Sequence, residues 1–424
     1  MLSILTRSIR KILIGEKQDF TFYSMKGNEI ELGELNKTDL YIHIPFCKSM
    51  CPYCPYNRIR YERSKVKPYL DAILKEIALY GEKLGKINIG SIYIGGGTPT
   101  NLIDELAIIL ESINEAFNVK GNISIETSVY DINETNVRKL KEMGVSQISI
   151  GVQSFDDRFL KLLGRNYKAE DIIPAIKTVK TGGFKSINID LMFALPGQKI
   201  EDLWNDLKKA IELNIDQITA YPLFTFPYST VGKYRGIKQL KMPNFMIRRK
   251  MYYTIYDYLE SRGYNRVSVW GFKKGASPEY SSVTREKYLG FGAGAATYTN
   301  NLFYFNTFSV EQYCKTLSEE ESPISVSMKV GEKLSNYYWL YWRLYEGEFS
   351  TADFKRKFSR DKKLQTILKI MQIWGLIEKK NEIFSLTRRG AFWIHLAQNH
   401  FMLDYINKVW TVSMNEPWPK KIEI

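Results

Sequence analysis

The feature that most constrains the fold is a repeated alternation of short apolar strands with amphipathic helices between residue 40 and about residue 220. Strands are predicted at 41–44, 89–94, 123–126, 147–152, 186–193 and 217–222. Helical periodicity fills the gaps, for example over 66–84 and 200–213. Strand–helix repetition implies a parallel sheet, and right-handed crossovers curl such a sheet toward a barrel. The sequence therefore predicts an α/β chain with a partial (β/α)6 barrel.

Three of the four cysteines lie together just after the first predicted strand. They are Cys47, Cys51 and Cys54, a C-x3-C-x2-C run, and Cys314 lies far away. A structural zinc site needs four ligands, and no further Cys or His follows the run locally. Three thiolates on one short loop suit a four-iron cluster in which one iron stays open for a substrate or a cofactor. The alternative is a trio of buried or disulfide-forming cysteines.

Further polar and glycine residues fall where the predicted strands end. The glycine run at 95–97 follows the second strand, and Glu126, Gln153 and Asp190 end later ones. In βα barrels the chemistry lies at the carboxyl ends of the strands. The glycine run lacks the lysine of a Walker loop and the spacing of a dinucleotide loop. A single site at this end of the barrel is therefore expected.

Longer motifs accompany these residues in order along the chain. They are YIHIPFC at 41–47, GGGTPT at 95–100, GVQSF at 151–155, LGR at 163–165, DLMFALPG at 190–197 and YLGFGAGA at 288–295. As a set they resemble the oxygen-independent coproporphyrinogen III oxidase family of radical S-adenosylmethionine (SAM) enzymes, over roughly residues 38 to 400. That family includes heme chaperones, heme-degrading enzymes and class C methyltransferases.

The resemblance implies a [4Fe-4S] cluster on Cys47, Cys51 and Cys54, with SAM, of which two molecules could bind. In this family the reduced cluster cleaves SAM to a 5′-deoxyadenosyl radical, and the protein supplies positioning. Tyr41 and His43 are the implied catalytic residues. Cofactor contacts are implied for ten residues: Tyr53, Gly95, Gly96, Gly97, Thr98, Glu126, Gln153, Arg165, Asp190 and Ala194.

Individual roles follow from the same resemblance. Arg165 would face the methionine carboxylate, a natural partner for a guanidinium, or else lie on the surface. Glu126 would meet the ribose or the amino group, whereas Gln153 and Asp190 could hydrogen-bond the ribose. The glycines would let the backbone approach the methionine amino group. His43 could instead only order the cluster.

Two positions differ from the residues of the family and argue against two of its functions. Tyr56 stands where the oxidase has an additional cysteine, and Pro278 and Glu279 stand where the heme chaperones carry a His–Asn pair. The expected function is therefore radical SAM modification of a porphyrin or heme. The alternatives are a class C methyltransferase or cyclopropanase acting on another substrate, or a heme-trafficking protein. Arg58, Arg60 and Arg63 could hold substrate carboxylates or be solvated.

Three regions are expected: an N-terminal extension at 1–37, the barrel at 38–300, and a substrate-covering, winged-helix-like α+β domain at 301–424. The last rests on helical patterns at 330–345, 350–358 and 364–374, followed by a hairpin over 375–387. A winged helix keeps nucleic acid open as a partner, although it is not the expected one.

Charge and composition limit which partners and which compartment are expected. The net charge of +14 favours an anionic substrate, and the family chemistry needs an electron donor such as flavodoxin or ferredoxin. Basic and apolar residues over 2–13 could form a helix that touches a membrane, or one packed on the domain. Low cysteine usage indicates a reducing compartment, so a cytoplasmic location is expected.

Overall fold

The structure is a computed structural model that describes residues 20–26, 32–33, 35–226, 229–230, 240–281, 286–299 and 301–424, without the side chains of 400–404. In chain order its strands are β1 (Thr21–Ser24), β2 (Lys37–Ile44), β3 (Phe46–Cys47), β4 (Ile59–Arg60), β5 (Asn88–Gly96), β6 (Asn118–Val119), β7 (Ile123–Thr127), β8 (Val145–Gln153), β9 (Ser186–Phe193), β10 (Gln217–Pro222), β11 (Tyr264–Arg266), β12 (Gly271–Lys274), β13 (Tyr288–Phe291), β14 (Ala296–Tyr298), β15 (Leu302–Asn306), β16 (Ile324–Lys329), β17 (Glu348–Ser350), β18 (Ile377–Lys380), β19 (Ile383–Leu386) and β20 (Lys421–Glu423).

Helices connect most of these strands. They are α1 (Arg63–Leu84), α2 (Ile103–Ala116), α3 (Glu134–Glu142), α4 (Asp157–Leu162), α5 (Ala169–Thr181), α6 (Ile200–Glu212), α7 (Phe245–Ser261), α8 (Val310–Ser318), α9 (Glu332–Glu346), α10 (Thr351–Phe358), α11 (Lys362–Ile373) and α12 (Arg388–Asn415), with 3-10 turns at Pro99–Leu102 and Val129–Asp131. The helix predicted over 2–13 lies outside the described residues.

One mixed sheet of 15 strands organises the described part of the chain. The six predicted strands are confirmed as β2, β5, β7, β8, β9 and β10, and all pair in parallel in the order β10-β9-β8-β7-β5-β2. β13 then adds in parallel to β2. Antiparallel strands extend the sheet beyond β10 and beyond β13. Within the described residues no pairing closes the sheet, so the predicted partial barrel is open.

The two faces of the parallel strands differ sharply in polarity. Alternate residues such as Ile42, Ile94 and Ile189 are fully buried in the core beneath the helices. Burial of each such side chain contributes about 1.5–3 kcal/mol. Side chains on the inner face are polar and bond to one another, as Ser124 Oγ does to Gln147 Oε1 at 2.8 Å. This period-two pattern explains why the strand predictions succeeded.

The segment after β12 crosses the inner face of the sheet near the strand starts. Gln147 donates to the carbonyl of Glu279 at 3.0 Å, and Gln217 exchanges two hydrogen bonds with the backbone of Tyr280. The Tyr280 hydroxyl reaches that of Tyr93 at 2.7 Å. This segment thus fills the inner face near its amino end.

A smaller unit follows the large sheet. Its three-stranded antiparallel sheet has the order β17-β19-β18, and α9, α10 and α11 pack beside it. The three predicted helices and the hairpin are confirmed, and β17 is an additional strand. Among the described helices, none is long and apolar enough to cross a membrane.

Candidate functional site

The three clustered cysteines lie on the loop that leaves the first parallel strand. Cys47 and Cys51 are buried and Cys54 is half-buried. Arg58 holds this loop, donating from Nη2 to the Cys51 carbonyl at 2.5 Å and from Nη1 to the Cys54 carbonyl at 3.0 Å. Burial raises the pKa of the Cys47 thiol to about 12. Burial also raises the pKa of the Cys54 thiol, although the charge of Arg58 opposes that rise.

The donor set of this loop fits an iron–sulfur cluster. Cys51 packs among apolar side chains that include Phe159 and Leu195, with Cys54 at the edge. A buried thiol of raised pKa becomes a thiolate when a metal binds it. In the described residues, no three His, Cys, Asp or Glu side chains converge on one point as ligands of a single ion would. A cluster that takes one thiolate per iron does not require such convergence.

The glycine run packs the end of β5 against the cysteine loop. A Cβ atom on Gly97 would lie 2.7 Å from the Phe46 carbonyl oxygen and 3.0 Å from Cys47 Sγ. One on Gly96, which has φ +118°, would lie 2.8 Å from the His43 ring. One on Gly95 would meet the Tyr93 ring at 2.8 Å and Glu126 at 3.1 Å. The glycines therefore serve protein packing as well as the expected approach to a cofactor.

Thr98 continues this contact beyond the glycines. Its amide donates to the Phe46 carbonyl at 2.9 Å. Its hydroxyl lies 3.9 Å from Cys47 Sγ, within the range of a weak hydrogen bond to sulfur. Thr98 is thus beside the first cysteine of the run.

Tyr41 and His43 form a hydrogen-bonded pair on the inner face of β2. His43 Nε2 lies 2.8 Å from the Asn57 carbonyl oxygen, which can only accept, so Nε2 carries the proton. Nδ1 must then accept from the Tyr41 hydroxyl at 2.8 Å. Burial lowers the pKa of His43 to about 4. The imidazole is therefore neutral near pH 7 and fixed as one tautomer.

Two carboxylates lie on the inner face of the sheet. Glu126 accepts from the Tyr93 hydroxyl and from the Gly96 amide at 3.3 Å. Asp190 accepts from Asn188 Nδ2 at 2.9 Å. Burial raises the pKa of Glu126 to about 7 and that of Asp190 to about 6. Each retains oxygen lone pairs that could accept hydrogen bonds from a hydroxyl or an ammonium group.

Arg165 carries the cationic side of the site. Its Nη2 donates to the Tyr53 hydroxyl at 2.5 Å, and its guanidinium lies 5.8 Å from the Tyr53 ring centroid and 5.9 Å from that of Tyr167. Its Nε is buried and has no hydrogen-bond partner among the described residues. A buried donor without a partner costs free energy. A carboxylate at this position would satisfy it, so the site fits the methionine end of SAM.

Gln153 is the last residue of β8, Ala194 follows directly after the neighbouring β9, and both have a strained backbone conformation. Their φ angles are +68° and +57°, in the left-handed region that non-glycine residues rarely adopt. Such outliers cluster at functional sites. The Gln153 amide oxygen accepts from the Tyr221 hydroxyl at 2.9 Å, and Ala194 is fully buried.

The structure brings most of the predicted residues into one connected group. A Cβ atom on Gly151 would lie 3.0 Å from Gln153 Nε2 and 3.5 Å from Arg165 Nη2, which shows how near these side chains are. Two of the arginines that follow the cysteines bind protein groups and are not arranged around a common substrate site. Arg58 is occupied by loop carbonyls, whereas Arg63 is exposed and pairs with Glu105 at 3.1 Å.

Some contributors were missed by the sequence reasoning. Tyr93 could have been found, because it precedes Gly95 by two residues and so shares its face of the strand. Asn57 gave no local signal, since it acts through a contact distant in sequence. A cavity of about 730 Å³ also adjoins the loop, and Cys54, Arg58 and Cys314 are among the residues that line it.

Comparisons with known proteins identify relatives of this chain. The family model of the radical SAM superfamily matches residues 41–210. The heme chaperone HemW of Bacillus subtilis is 30% identical over 361 residues, which cover 82% of this chain and 95% of that protein. Anaerobilin synthase of Escherichia coli O157:H7 is 24% identical over 363 residues, which cover 84% of this chain and 81% of that protein.

A solved structure shows the shared fold. Coproporphyrinogen III oxidase (HemN) from Escherichia coli superposes with a TM-score of 0.75 at 22% identity, over 90% of this chain and 94% of that chain. The identity and the extent of the match to HemW confirm the predicted family. The chain belongs to the oxygen-independent coproporphyrinogen III oxidase-like family of the radical SAM superfamily.

Proposed function

We propose that this protein is a radical SAM enzyme that modifies a porphyrin or a heme. Family membership implies a [4Fe-4S] cluster and SAM, and Cys47, Cys51 and Cys54 would hold the cluster. When bound, the two cofactors supply one-electron cleavage of SAM and a radical able to abstract hydrogen from a C–H bond. The names of the relatives, which are heme chaperones, an oxidase of coproporphyrinogen and a synthase of anaerobilin, support the substrate class.

The arrangement of charge around Arg165 carries the proposal. Arg165 offers a buried donor without a partner beside Tyr53, next to the cysteine loop. Glu126 and Asp190 offer acceptors on the adjoining inner face. SAM has a carboxylate, an ammonium and a ribose diol, so its charges complement this set. The Tyr41 hydroxyl donates a hydrogen bond to His43 Nδ1, and its oxygen could also accept one from a bound molecule.

Aromatic side chains at the end of β10 support a flat, conjugated substrate. The rings of Tyr221 and Phe224 stack with an interplanar angle of 6°, and Phe224 also meets Phe226 and Trp270. Aromatic walls suit planar ligands. The C-terminal region contacts the chain next to this aromatic cluster, because the amide of Val269, the neighbour of Trp270, donates to the Tyr345 carbonyl at 2.8 Å. We further propose that residues 301–424 cover the substrate there.

An electron donor such as flavodoxin or ferredoxin would reduce the cluster. The proposal also includes the binding of a second SAM molecule. The cavity that reaches Cys54 offers such a donor a short approach to the cluster ligands. We place the enzyme in the cytoplasm, where the low cysteine usage fits a reducing environment.

Heme trafficking is the second candidate, and the match to HemW favours it. The described imidazoles offer little support for axial heme ligation. His43 is buried with both nitrogens hydrogen-bonded, and His395 is buried with its ring centroid 3.6 Å from that of Trp270. Glu279, at the position of the chaperone His–Asn pair, belongs to the segment that crosses the sheet. A class C methyltransferase or cyclopropanase is the remaining alternative.

Product analysis separates these candidates. The cluster is reconstituted anaerobically, and the protein is incubated with dithionite, SAM and either heme or coproporphyrinogen. The proposal predicts release of 5′-deoxyadenosine together with an altered tetrapyrrole mass. Substrate-dependent S-adenosylhomocysteine would instead indicate methyl transfer. Tight heme binding without turnover would indicate trafficking, and stoichiometric zinc in place of iron would refute the radical chemistry.

A further inference from the structure

Positive charge is concentrated in one stretch of the C-terminal unit. Residues 351–389 contain eleven Lys and Arg but only four Asp and Glu, a net charge of +7. This is half of the +14 carried by the whole chain. The proposed site does not use these residues, so their accumulation needs another explanation.

Helix α11 presents a continuous exposed face within this stretch. Leu364 and Leu368 are buried against the unit. The exposed positions follow helical spacing and comprise Lys362, Lys363, Thr366, Lys369, Ile370 and, at the end of the helix, Ile373 and Trp374. Ile373 is 81% exposed and Trp374 is 62% exposed. One face therefore combines lysines with protruding apolar and aromatic side chains.

The lysines of this face have no internal counter-charge. Lys362, Lys363 and Lys369 make no ion pair with any residue that the structure describes. Two lysines of the same stretch do have carboxylate partners: Lys379 pairs with Glu382 at 3.9 Å and Lys380 with Glu378 at 2.8 Å. The face thus carries an uncompensated positive field that a negatively charged partner would neutralise.

We infer that the exposed face of α11 binds the surface of an anionic membrane. Lysines are attracted by acidic headgroups, whereas Trp374 and Ile373 have the amphipathic and apolar character of residues that enter the interface. Nucleic acid fits less well, because interfaces with DNA are polar and strongly basic. The residues of this face are not part of the proposed site, so membrane binding does not depend on the proposed chemistry. The predicted N-terminal membrane contact over 2–13 lies outside the described residues and contributes nothing to it.

The test is flotation of the full-length protein with vesicles of phosphatidylcholine, with and without phosphatidylglycerol. Binding is expected only with the anionic lipid and should weaken as salt rises. Each of Lys362→Gln and Lys369→Gln should lower the partition coefficient about fivefold. The double variant Ile373→Ser, Trp374→Ser should lower it about tenfold or more. Quenching of tryptophan fluorescence by brominated lipid should fall in Trp374→Phe.

Matched controls come from other parts of the surface. Met246→Ser removes an apolar side chain that is 65% exposed on α7, and Lys177→Gln removes an exposed charge on α5. Both should bind vesicles like the wild type, and circular dichroism should show that all variants are folded.

Four results would overturn the inference. The first is no binding to anionic vesicles, and the second is an equal loss of vesicle binding in the control variants. The third is binding to duplex DNA that the α11 variants weaken, without binding to vesicles. The fourth is a concentration-dependent dimer that Ile373→Ser abolishes.

Discussion

The Nη2 atom of Arg165 donates a hydrogen bond of 2.5 Å to the hydroxyl of Tyr53, the residue directly before the third clustered cysteine. This contact joins the segment after β8 to the cysteine loop. It leaves Arg165 Nε buried without a partner in the described structure. The same side chain therefore supports the loop and, under the proposed function, would donate to the carboxylate of SAM.

Replacement of Arg165 should weaken SAM binding without loss of the cluster. A hydrogen bond to a charged group contributes about 1.5–3 kcal/mol, so Arg165→Gln should raise the dissociation constant roughly 10- to 100-fold. Equilibrium dialysis of the reconstituted protein measures it, with iron content as the control. Tyr53→Phe should have a smaller effect, because the guanidinium remains. Unchanged affinity in Arg165→Gln would show that this residue does not meet the carboxylate.

Gly97→Ala should prevent cluster assembly. A Cβ atom there would clash with the backbone of the cysteine loop, 2.7 Å from the Phe46 carbonyl oxygen. Gly85→Ala is the matched control, because Gly85 has φ +66° but no atom within 4 Å of an added Cβ. Gly85 combines φ +66° with ψ −166°, a backbone conformation that is essentially restricted to glycine, so the control should lose about 1–3 kcal/mol of stability and keep its iron. Iron and sulfide analysis of the reconstituted variants measures cluster assembly. A full complement of iron and sulfide in Gly97→Ala would contradict the packing role of Gly97.

The buried Glu76 should make stability depend on pH. It accepts from the Gly292 amide, Asn306 Nδ2 and the Tyr313 hydroxyl at 2.6–2.8 Å, and burial raises its pKa to about 7. Between the unfolded pKa near 4.5 and about 7, the folded state binds more protons than the unfolded state. The contribution of Glu76 to the free energy of unfolding should therefore fall by about 3 kcal/mol as pH rises from about 4.5 to about 7.

Glu76→Gln should flatten that part of the urea-unfolding profile, with the wild type measured in parallel. Glu76→Ala leaves three buried donors without an acceptor, so it should cost about 3 kcal/mol or more. If wild type and Glu76→Gln lose stability equally between pH 4.5 and 7, Glu76 does not titrate as described.

His43 should stay neutral across the physiological range. Burial lowers its pKa to about 4, and its bond to the Asn57 carbonyl requires the Nε2–H tautomer of the neutral ring. Because the chain has only three histidines, nitrogen-15 spectra of histidine-labelled protein without the cluster can assign it. The signals should show this tautomer without change from pH 5.5 to 8. A midpoint near 6.5 would mean that the ring is solvated instead.

Local pattern predicted the parallel strands well, because their side chains alternate between a helix-covered face and a polar inner face. The bounds of β9 and β10 were predicted at both ends. Features that depend on distant contacts were not predictable in this way. β13 pairs with β2 from far along the chain, and Tyr280 enters the inner face from a loop. Arg58 could have bound a substrate on sequence grounds, but the backbone carbonyls of its own loop occupy it.

The most direct test of the central claim is reductive cleavage of SAM by the protein itself. Wild type, Cys51→Ala and Arg165→Gln are reconstituted anaerobically and incubated with dithionite and SAM, and 5′-deoxyadenosine is quantified by mass spectrometry. The wild type should release 5′-deoxyadenosine, Arg165→Gln should release less at low SAM concentration, and Cys51→Ala should release none. A wild type with a complete cluster that releases no more than Cys51→Ala would contradict the proposed function.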